Sequence, residues 1–352
     1  MRAAVLETHG EALSIRSVPD PDPDDHGVVL AVEACGICRS DWHAWAGHGE
    51  WVDDVPPEGQ ILGHEPAGRV IETGSDVDTL VEGDRVAVPF CLGDGSCPHC
   101  LSGHGNVCPN GLGLGFEPDA PGAFAELLHV PFADYNAARL PDSVRYGEMA
   151  ALGCRYVTAY HALAHRATLT PGSWVAVHGC GGLGLSAIQI ARALGGRVVA
   201  VDVREEALRK ARDLGAHETV DAGAEAVPEA IRERTDGGAD VSLDALGIAE
   251  TCRNSVRSLA RRGQHVQVGL TTEDERGEVS LPTDYMVGRE LEFLGSRGMP
   301  PTRYGELFGL IETGVLDPGA LVTREVSLEE VPDRIEAIGR YETVGIEVVT
   351  SF

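Results

Sequence analysis

Apolar and polar positions along the chain fall into two textures. In the first half the apolar runs are short and broken by Gly, Pro and Asp: "GVVLAVEA", "PAGRVIETG", "DRVAVPF" and "AFAELLHV". Runs of that length between turn residues predict strands, so this half reads as a compact, mostly β domain with long loops. Near Tyr146 the texture changes. "YGEMAALGCRYVTAYHALAHRA" carries apolar and small residues at helical spacing. Strand-like and helix-like segments then alternate: "SWVAVHG", "LSAIQIARALG", "RVVAVDV", "EEALRKARDLG", "ADVSLDAL", "QHVQVGL", "LEFLGS". That alternation predicts βαβ units and a parallel sheet. From about Arg297 two helical patterns, "RYGELFGLIETG" and "SLEEVPDRIEAIGRY", precede a terminal strand, "GIEVVTSF". No internal repeat or low-complexity linker separates these parts.

Composition narrows the partners. The 352 residues include 55 acidic and 28 basic side chains, a formal charge of −27, and Lys210 is the single lysine. Such a surface repels nucleic acid and anionic membranes, which excludes both as expected partners. The acids are scattered among apolar segments rather than gathered in tails, so the pattern reads as adaptation to concentrated salt rather than as disorder. At about 1 M salt the Debye length falls to about 3 Å, which screens the self-repulsion. The N-terminal "MRAAVLETHGEALSIRS" has no long apolar stretch, and no segment approaches the roughly 18 uninterrupted apolar residues of a membrane span. The expectation is a cytoplasmic protein whose nine cysteines are metal ligands or buried small residues rather than disulfides.

Candidate chemistry begins with a phosphate cradle. After "SWVAVH" come Gly179, Cys180, Gly181, Gly182, Leu183 and Gly184, then a helix with apolar residues at 183, 187, 190, 191 and 194. Glycines there allow a tight turn and let a pyrophosphate approach the helix N-terminus. Asp202 closes the next strand, placed to accept hydrogen bonds from an adenosine ribose and to repel a 2′-phosphate. This favours NAD over NADP, while Arg204 nearby softens the preference and leaves NADP possible. Cys180 reads as a small packing residue in the turn.

Cysteine and histidine positions suggest metal. "ACGICRSDWH", "GHEPAG" and "GCRYVTAYHAL" hold Cys38, His64 and Cys154, ligand types that suit Zn²⁺ with one open position. Read alone, Cys35 and Cys38 are equally a redox pair, His64 a buried structural histidine and Cys154 a core residue. A second group is "CLGDGSCPHC" followed by Cys108. It reads as a four-sulfur site reaching back to Cys91, as a site with Asp94 for a carboxylate ligand, or as a metal-free lobe.

Taken together and in order, "CGICRSDWH", "GHEPAGRV", "GDRVAV", "CPHCLSGHGNVC", "AALGCRYVTAYHAL", "GCGGLGLSAIQIA" and "VAVDVREEAL" resemble the zinc-dependent alcohol dehydrogenases of the medium-chain dehydrogenase/reductase superfamily, most closely the archaeal NAD-dependent branch. The resemblance spans essentially the whole chain. It implies an α/β architecture: a GroES-like, mostly β catalytic domain over 1–155 with a zinc lobe near 91–108, a Rossmann doubly wound parallel-sheet NAD domain over 156–295, and a return to the catalytic domain over 296–352. It implies two zinc ions per subunit. Cys38, His64 and Cys154 become the catalytic ligands, with Glu65 beside the metal as a transient ligand. Asp41 orients the histidine, Ser40 and His43 relay the substrate proton, and Arg39 lies near the cofactor pyrophosphate. Thr158 and Val268, Gly269 and Leu270 become nicotinamide-side contacts.

The family's structural zinc lobe is patterned Cys-x-x-Cys-x-x-Cys-x7-Cys. Cys97, Cys100 and Cys108 match its last three positions, and Asp94 falls in the first. The reading is a carboxylate-ligated zinc with Cys91 as the alternative first ligand and His99 exposed. The implied activity is alcohol oxidation with NAD on a small-molecule substrate, by a homo-oligomer, tetramer or dimer. A polyol or sugar dehydrogenase is the alternative, and a non-catalytic nucleotide sensor the reading from another class. Trp42, Trp51 and Phe90 near the inferred pocket lean toward an apolar alcohol.

Overall fold

The computed structural model describes residues 1–49 and 55–352; Trp51 lies outside them. The chain divides into two compact units, Met1–Val157 with Gly298–Phe352, and Thr158–Arg297.

The first unit is built on a seven-stranded sheet. Its central strand, Val28–Ile37, is almost wholly buried and pairs antiparallel with Glu65–Thr73 on one side and Ile346–Ser351 on the other. Arg85–Ala87, Ala138–Arg139 and Val322–Ser327 extend the path, and Leu127–Val130 pairs with Val28–Ile37 off it. A smaller sheet orders Ser14–Ser17, Arg2–Leu6 and Gln60–Ile61. The core gathers Leu30, Ile37 and Leu128 from these strands and Leu62 and Phe124 from the segments between them, with Val331, Ile335 and Ile338 of the helix Val331–Gly339.

Where Val28–Ile37 ends, the helix Arg39–Ala46 begins. Asp41 starts it by accepting the Cys38 N–H at 2.8 Å, the reciprocal half of a capping box, and Gly47 at φ 74° ends it.

The second unit is a doubly wound parallel sheet. Its order is Glu218–Asp221, Arg197–Asp202, Trp174–His178, Ala239–Asp244, Leu259–Gln267 and Glu292–Gly295, and each neighbouring pair is parallel. The strand order reverses direction between Trp174–His178 and Ala239–Asp244, the position at which such sheets bind ligands beyond their strand ends. Trp174–His178 is buried along its whole length, as a strand covered on both faces must be. No helix among the described residues is long and apolar enough to cross a membrane.

Candidate active site and metal centres

The first unit brings Cys38, His64, Glu65 and Cys154 together, with one ligand atom of each within 4.8 Å of the others. Three elements deliver them. Cys38 caps the helix Arg39–Ala46, His64 precedes the strand that Glu65 opens, and Cys154 sits in the widened helical turn Leu152–Tyr156. Gly153, at φ −18° and ψ −113°, kinks that turn.

Asp41 ties the group together. One oxygen meets His64 Nδ1 at 2.8 Å and the Gly63 N–H at 3.2 Å, while the other holds Cys38 N–H. A carboxylate only accepts, so the proton sits on Nδ1 and the Nε2 lone pair is free. That Nε2 is buried and has no hydrogen-bond partner among the described residues, the condition of a nitrogen made to bind a cation. Burial opposes charge on the His64 ring, but the Asp41 charge and hydrogen bond raise it well above the ordinary value, so Nε2 attracts a positive partner, and a metal there takes the place of a second proton. A hydrogen bond with Cys154 holds the Cys38 thiol well below its usual range, against burial, and the same bond together with burial raises Cys154. Two sulfurs and an imidazole nitrogen at this spacing fit zinc.

Ser40 Oγ lies 3.8 Å from Cys38 Sγ. His43 is one helical turn farther on the same face. No hydrogen bond joins the two among the described residues. Burial, then Arg39 and His48, push His43 down to about 4, so it is neutral near neutral pH. Phe90 and Phe116 flank the His64 ring, with centroids at 5.8 and 5.0 Å. Trp42 stacks on Arg39 and lies over Gly339, where an added Cβ would fall 2.1 Å from its Nε1. Arg39 is held between Trp42 and Tyr341, its Cζ 4.5 and 4.1 Å from their ring centroids, and donates to Tyr341 Oη at 2.8 Å and to the Ile338 carbonyl.

Asp94, Cys97, Cys100 and Cys108 form a second group whose ligand atoms lie within 4.8 Å of one another. Cys97 and Cys108 sulfurs are 3.6 Å apart, close to the roughly 3.8 Å edge of a tetrahedron with Zn–S bonds near 2.3 Å. Asn110 donates to Asp94 Oδ2 at 2.7 Å, and the N–H groups of Ser96 and Cys97 donate to Oδ1. These donors, Asn110 first, hold the Asp94 carboxyl well below the usual carboxylate range. Cys91 is outside this group. It is buried on the strand Cys91–Leu92, and a Cβ at Gly298 would lie 3.1 Å from its Sγ. His99 is exposed.

In the second unit the glycine-rich turn has the shape of a cradle. Gly179 adopts φ 92°, which favours glycine, and a Cβ at Gly184 would collide with the Gly179 carbonyl at 1.8 Å. At Gly181, the cap of the helix Gly182–Ala193, an added Cβ would meet nothing within 4 Å, so the turn has room for a pyrophosphate beside the helix N-terminus. Leu183 and Gly184 lie in the first turn of that helix. Asp202 ends its strand and accepts N–H groups from Cys180 at 2.8 Å and Arg204 at 2.9 Å. Thr158 is buried at the start of this unit. Val268, Gly269 and Leu270 follow the strand Leu259–Gln267; Val268 and Gly269 donate to the Asp244 carbonyl, and Leu270 is exposed.

Several site residues were not anticipated from sequence. Arg155 pairs with Glu65, Phe116 packs on His64, and Asn110 holds Asp94. Arg155 alone left a signal, an arginine inside an otherwise small and apolar helical pattern.

The fold and the two cysteine-rich groups define a zinc-binding dehydrogenase, and comparison with known proteins agrees. The alcohol dehydrogenase GroES-like domain family matches residues 24–142, and the zinc-binding dehydrogenase family matches 182–313. An NAD-dependent alcohol dehydrogenase of Sulfurisphaera tokodaii is 35% identical over 99% of both chains. A sorbitol dehydrogenase of Bacillus subtilis is 32% identical over 99% of this chain and 96% of its own. The solved alcohol dehydrogenase TADH from Thermus sp. ATN1 superposes with a TM-score of 0.90 at 30% identity, covering 100% of both chains. The chain belongs to the zinc-dependent alcohol dehydrogenases of the medium-chain dehydrogenase/reductase superfamily.

Proposed function

We propose that this protein oxidises primary or secondary alcohols to aldehydes or ketones, and catalyses the reverse, with NAD as hydride acceptor. The observation that carries the reading is the convergence of Cys38, His64 and Cys154, with His64 Nε2 buried and without a partner. Zinc at that site supplies a Lewis acid for the reacting oxygen, and NAD takes up the hydride. Cys38, His64 and Cys154 hold the metal, and Asp41 fixes the His64 ring. Ser40, beside Cys38, accepts the substrate hydroxyl proton, and His43 passes it toward solvent. Phe90 and Phe116 supply apolar walls that exclude water.

Gly179 to Gly184 receive the pyrophosphate, and Asp202 the adenosine ribose. Thr158 and residues 268–270 face the nicotinamide, and Arg39 approaches the pyrophosphate. Asp94, Cys97, Cys100 and Cys108 hold a second, structural zinc. The protein works in the cytoplasm as a homo-oligomer, and its formal charge of −27 supports a salt-rich setting.

The relatives named sorbitol dehydrogenase favour a second reading, a polyol substrate on the same site. NAD reduction measured in molar salt with ethanol, longer and secondary alcohols, sorbitol and glucose separates the two. Turnover of the simple alcohols above the polyols is expected. No turnover of any, in protein that holds both zinc ions, overturns the proposal.

A further inference from the structure

Glu65 stands within reach of the catalytic metal group yet is fully committed elsewhere. Its Oε1 accepts the N–H of Cys154 at 2.8 Å, and the N–H and Nε of Arg155 at 3.2 Å each. Its Oε2 accepts Arg155 Nη2 at 2.5 Å. Both side chains are inside the unit, 0% exposed for Glu65 and 10% for Arg155. The walls are glycines. A Cβ at Gly36 would lie 2.1 Å from Glu65 Oε2, and one at Gly153 would lie 2.2 Å from Glu65 Cβ. The carboxylate is therefore fixed both by shape and by four N–H donors, one of them at each end of a planar fork that lysine cannot reproduce.

We propose that Arg155 is a positioning residue that holds Glu65 off the zinc and thereby keeps the substrate position open. This rests on the reading of Cys38, His64 and Cys154 as a zinc site. The physical reason is competition between cations. A buried carboxylate needs a partner of opposite charge. Two are available to Glu65: the guanidinium it already holds, and a metal at ligand atoms within 4.8 Å of its own. Three protein ligands leave zinc an open position, whereas four close it into a structural site. Without Arg155 the metal becomes the strongest cation in reach of Glu65 among the described residues, and Glu65 becomes the fourth ligand. The arginine adjoining a metal-binding cysteine thus decides between a catalytic and a closed centre.

The test compares zinc-loaded wild type with Arg155→Gln, Arg155→Lys, Glu65→Gln and the double variant Arg155→Gln/Glu65→Gln. Release of the catalytic zinc to a chelator is followed, as is the visible spectrum after cobalt(II) replacement. Arg155→Gln is expected to release the metal about tenfold more slowly, since added or lost partners around metal ligands change affinity by this order. Its cobalt spectrum shifts as a carboxylate joins the sulfurs and nitrogen, and KM for the alcohol rises more than kcat falls. Glu65→Gln and the double variant release metal at the wild-type rate with the wild-type spectrum. Arg155→Lys, which keeps the charge and guards against a folding failure, falls between.

Equal or faster release from Arg155→Gln with an unchanged spectrum overturns the proposal. So does faster release from Glu65→Gln, which would make the carboxylate a resident ligand. The zinc reading itself is judged separately. If Cys38→Ala holds as much zinc as wild type, that reading fails, whatever Arg155 does.

Discussion

Asp41 links two metal ligands through one carboxylate: it caps the helix that presents Cys38 and accepts the Nδ1 proton of His64 at 2.8 Å. Both Asp41 and His64 are buried, at 1% and 0% exposure. Asp41→Asn keeps the size but offers an N–H₂ where an acceptor is needed, so the ring loses its preferred tautomer. Affinity for the catalytic zinc should fall about 10–100-fold, with the structural zinc retained. Metal counting after graded chelation checks this, and unchanged retention would show that the ring is held by packing alone.

Asp94 and Cys91 make opposite predictions. Asp94→Ala should lose about one zinc per subunit, because binding and folding of such a lobe are coupled. Cys91→Ala should keep it, since Cys91 lies outside the ligand group. Asp94→Cys should bind zinc again through four sulfurs. Loss of zinc in Cys91→Ala with retention in Asp94→Ala would reverse the assignment.

Cofactor choice turns on Asp202. Asp202→Asn removes the charge that opposes a 2′-phosphate and retains an acceptor for the Cys180 N–H. Its kcat/KM ratio for NADP over NAD should rise about tenfold, near 1.4 kcal/mol of differential binding. A wild type that already prefers NADP at working salt would refute this role.

His178 and His265 predict an acid-sensitive second unit. Burial, with His265 adding to it, takes His178 down to about 3, and burial takes His265 to about 4. Both lie below the unfolded value near 6.5, so the unfolded chain binds more protons between those limits. Their stabilising contribution is complete above about pH 6.5 and declines as the pH falls toward 4. From pH 7 to pH 5 each should cost about 2 kcal/mol. His265→Gln should flatten the dependence of the urea midpoint on pH. An unchanged slope would mean that the carboxylates dominate it.

Salt should stabilise the protein. With a formal charge of −27, screening by molar KCl should raise Tm by about 10 °C relative to 0.2 M, a few kcal/mol for a chain of this size. Thermal scans at fixed zinc and NAD concentration test it, because bound ligands also stabilise. A Tm independent of salt would contradict the reading of the acidic surface.

How much of this was legible depended on distance along the chain. The glycine turn at 179–184 and the Cys97, Cys100, Cys108 spacing are local, so strand, turn and ligand intervals could be read directly. The buried strand Val28–Ile37 was equally plain from its apolar run. The edge strand Val322–Ser327, "VTREVS", was missed because exposed polar residues fill it and leave no alternation. The strand Glu218–Asp221 was missed in the same way, and the helix Val227–Thr235 because its buried positions include Pro228 and Thr235 and leave only a short apolar stripe. Within the site, Asp41 was read as the partner of His64 from the resemblance, while other pairings that hold side chains in place escaped. Arg155 meets a carboxylate 90 positions away, and Arg39 a tyrosine 302 positions away. Neither pairing leaves a trace in spacing, because only the fold brings the partners together.

The strand Ile346–Ser351 occupies the interior of the first unit's sheet, pairing with Cys35, Gly36 and Ile37 on one side and with Val322–Ser327 on the other. During synthesis the early strands must therefore wait, with a hydrogen-bonding edge uncovered, until more than 300 further residues have emerged. The second unit, continuous in sequence from Thr158 to Arg297, can complete its own sheet in that interval. The nascent chain thus carries its nucleotide fold before its catalytic fold is closed, and the uncovered strand beside Cys38 is where chaperone protection would matter most.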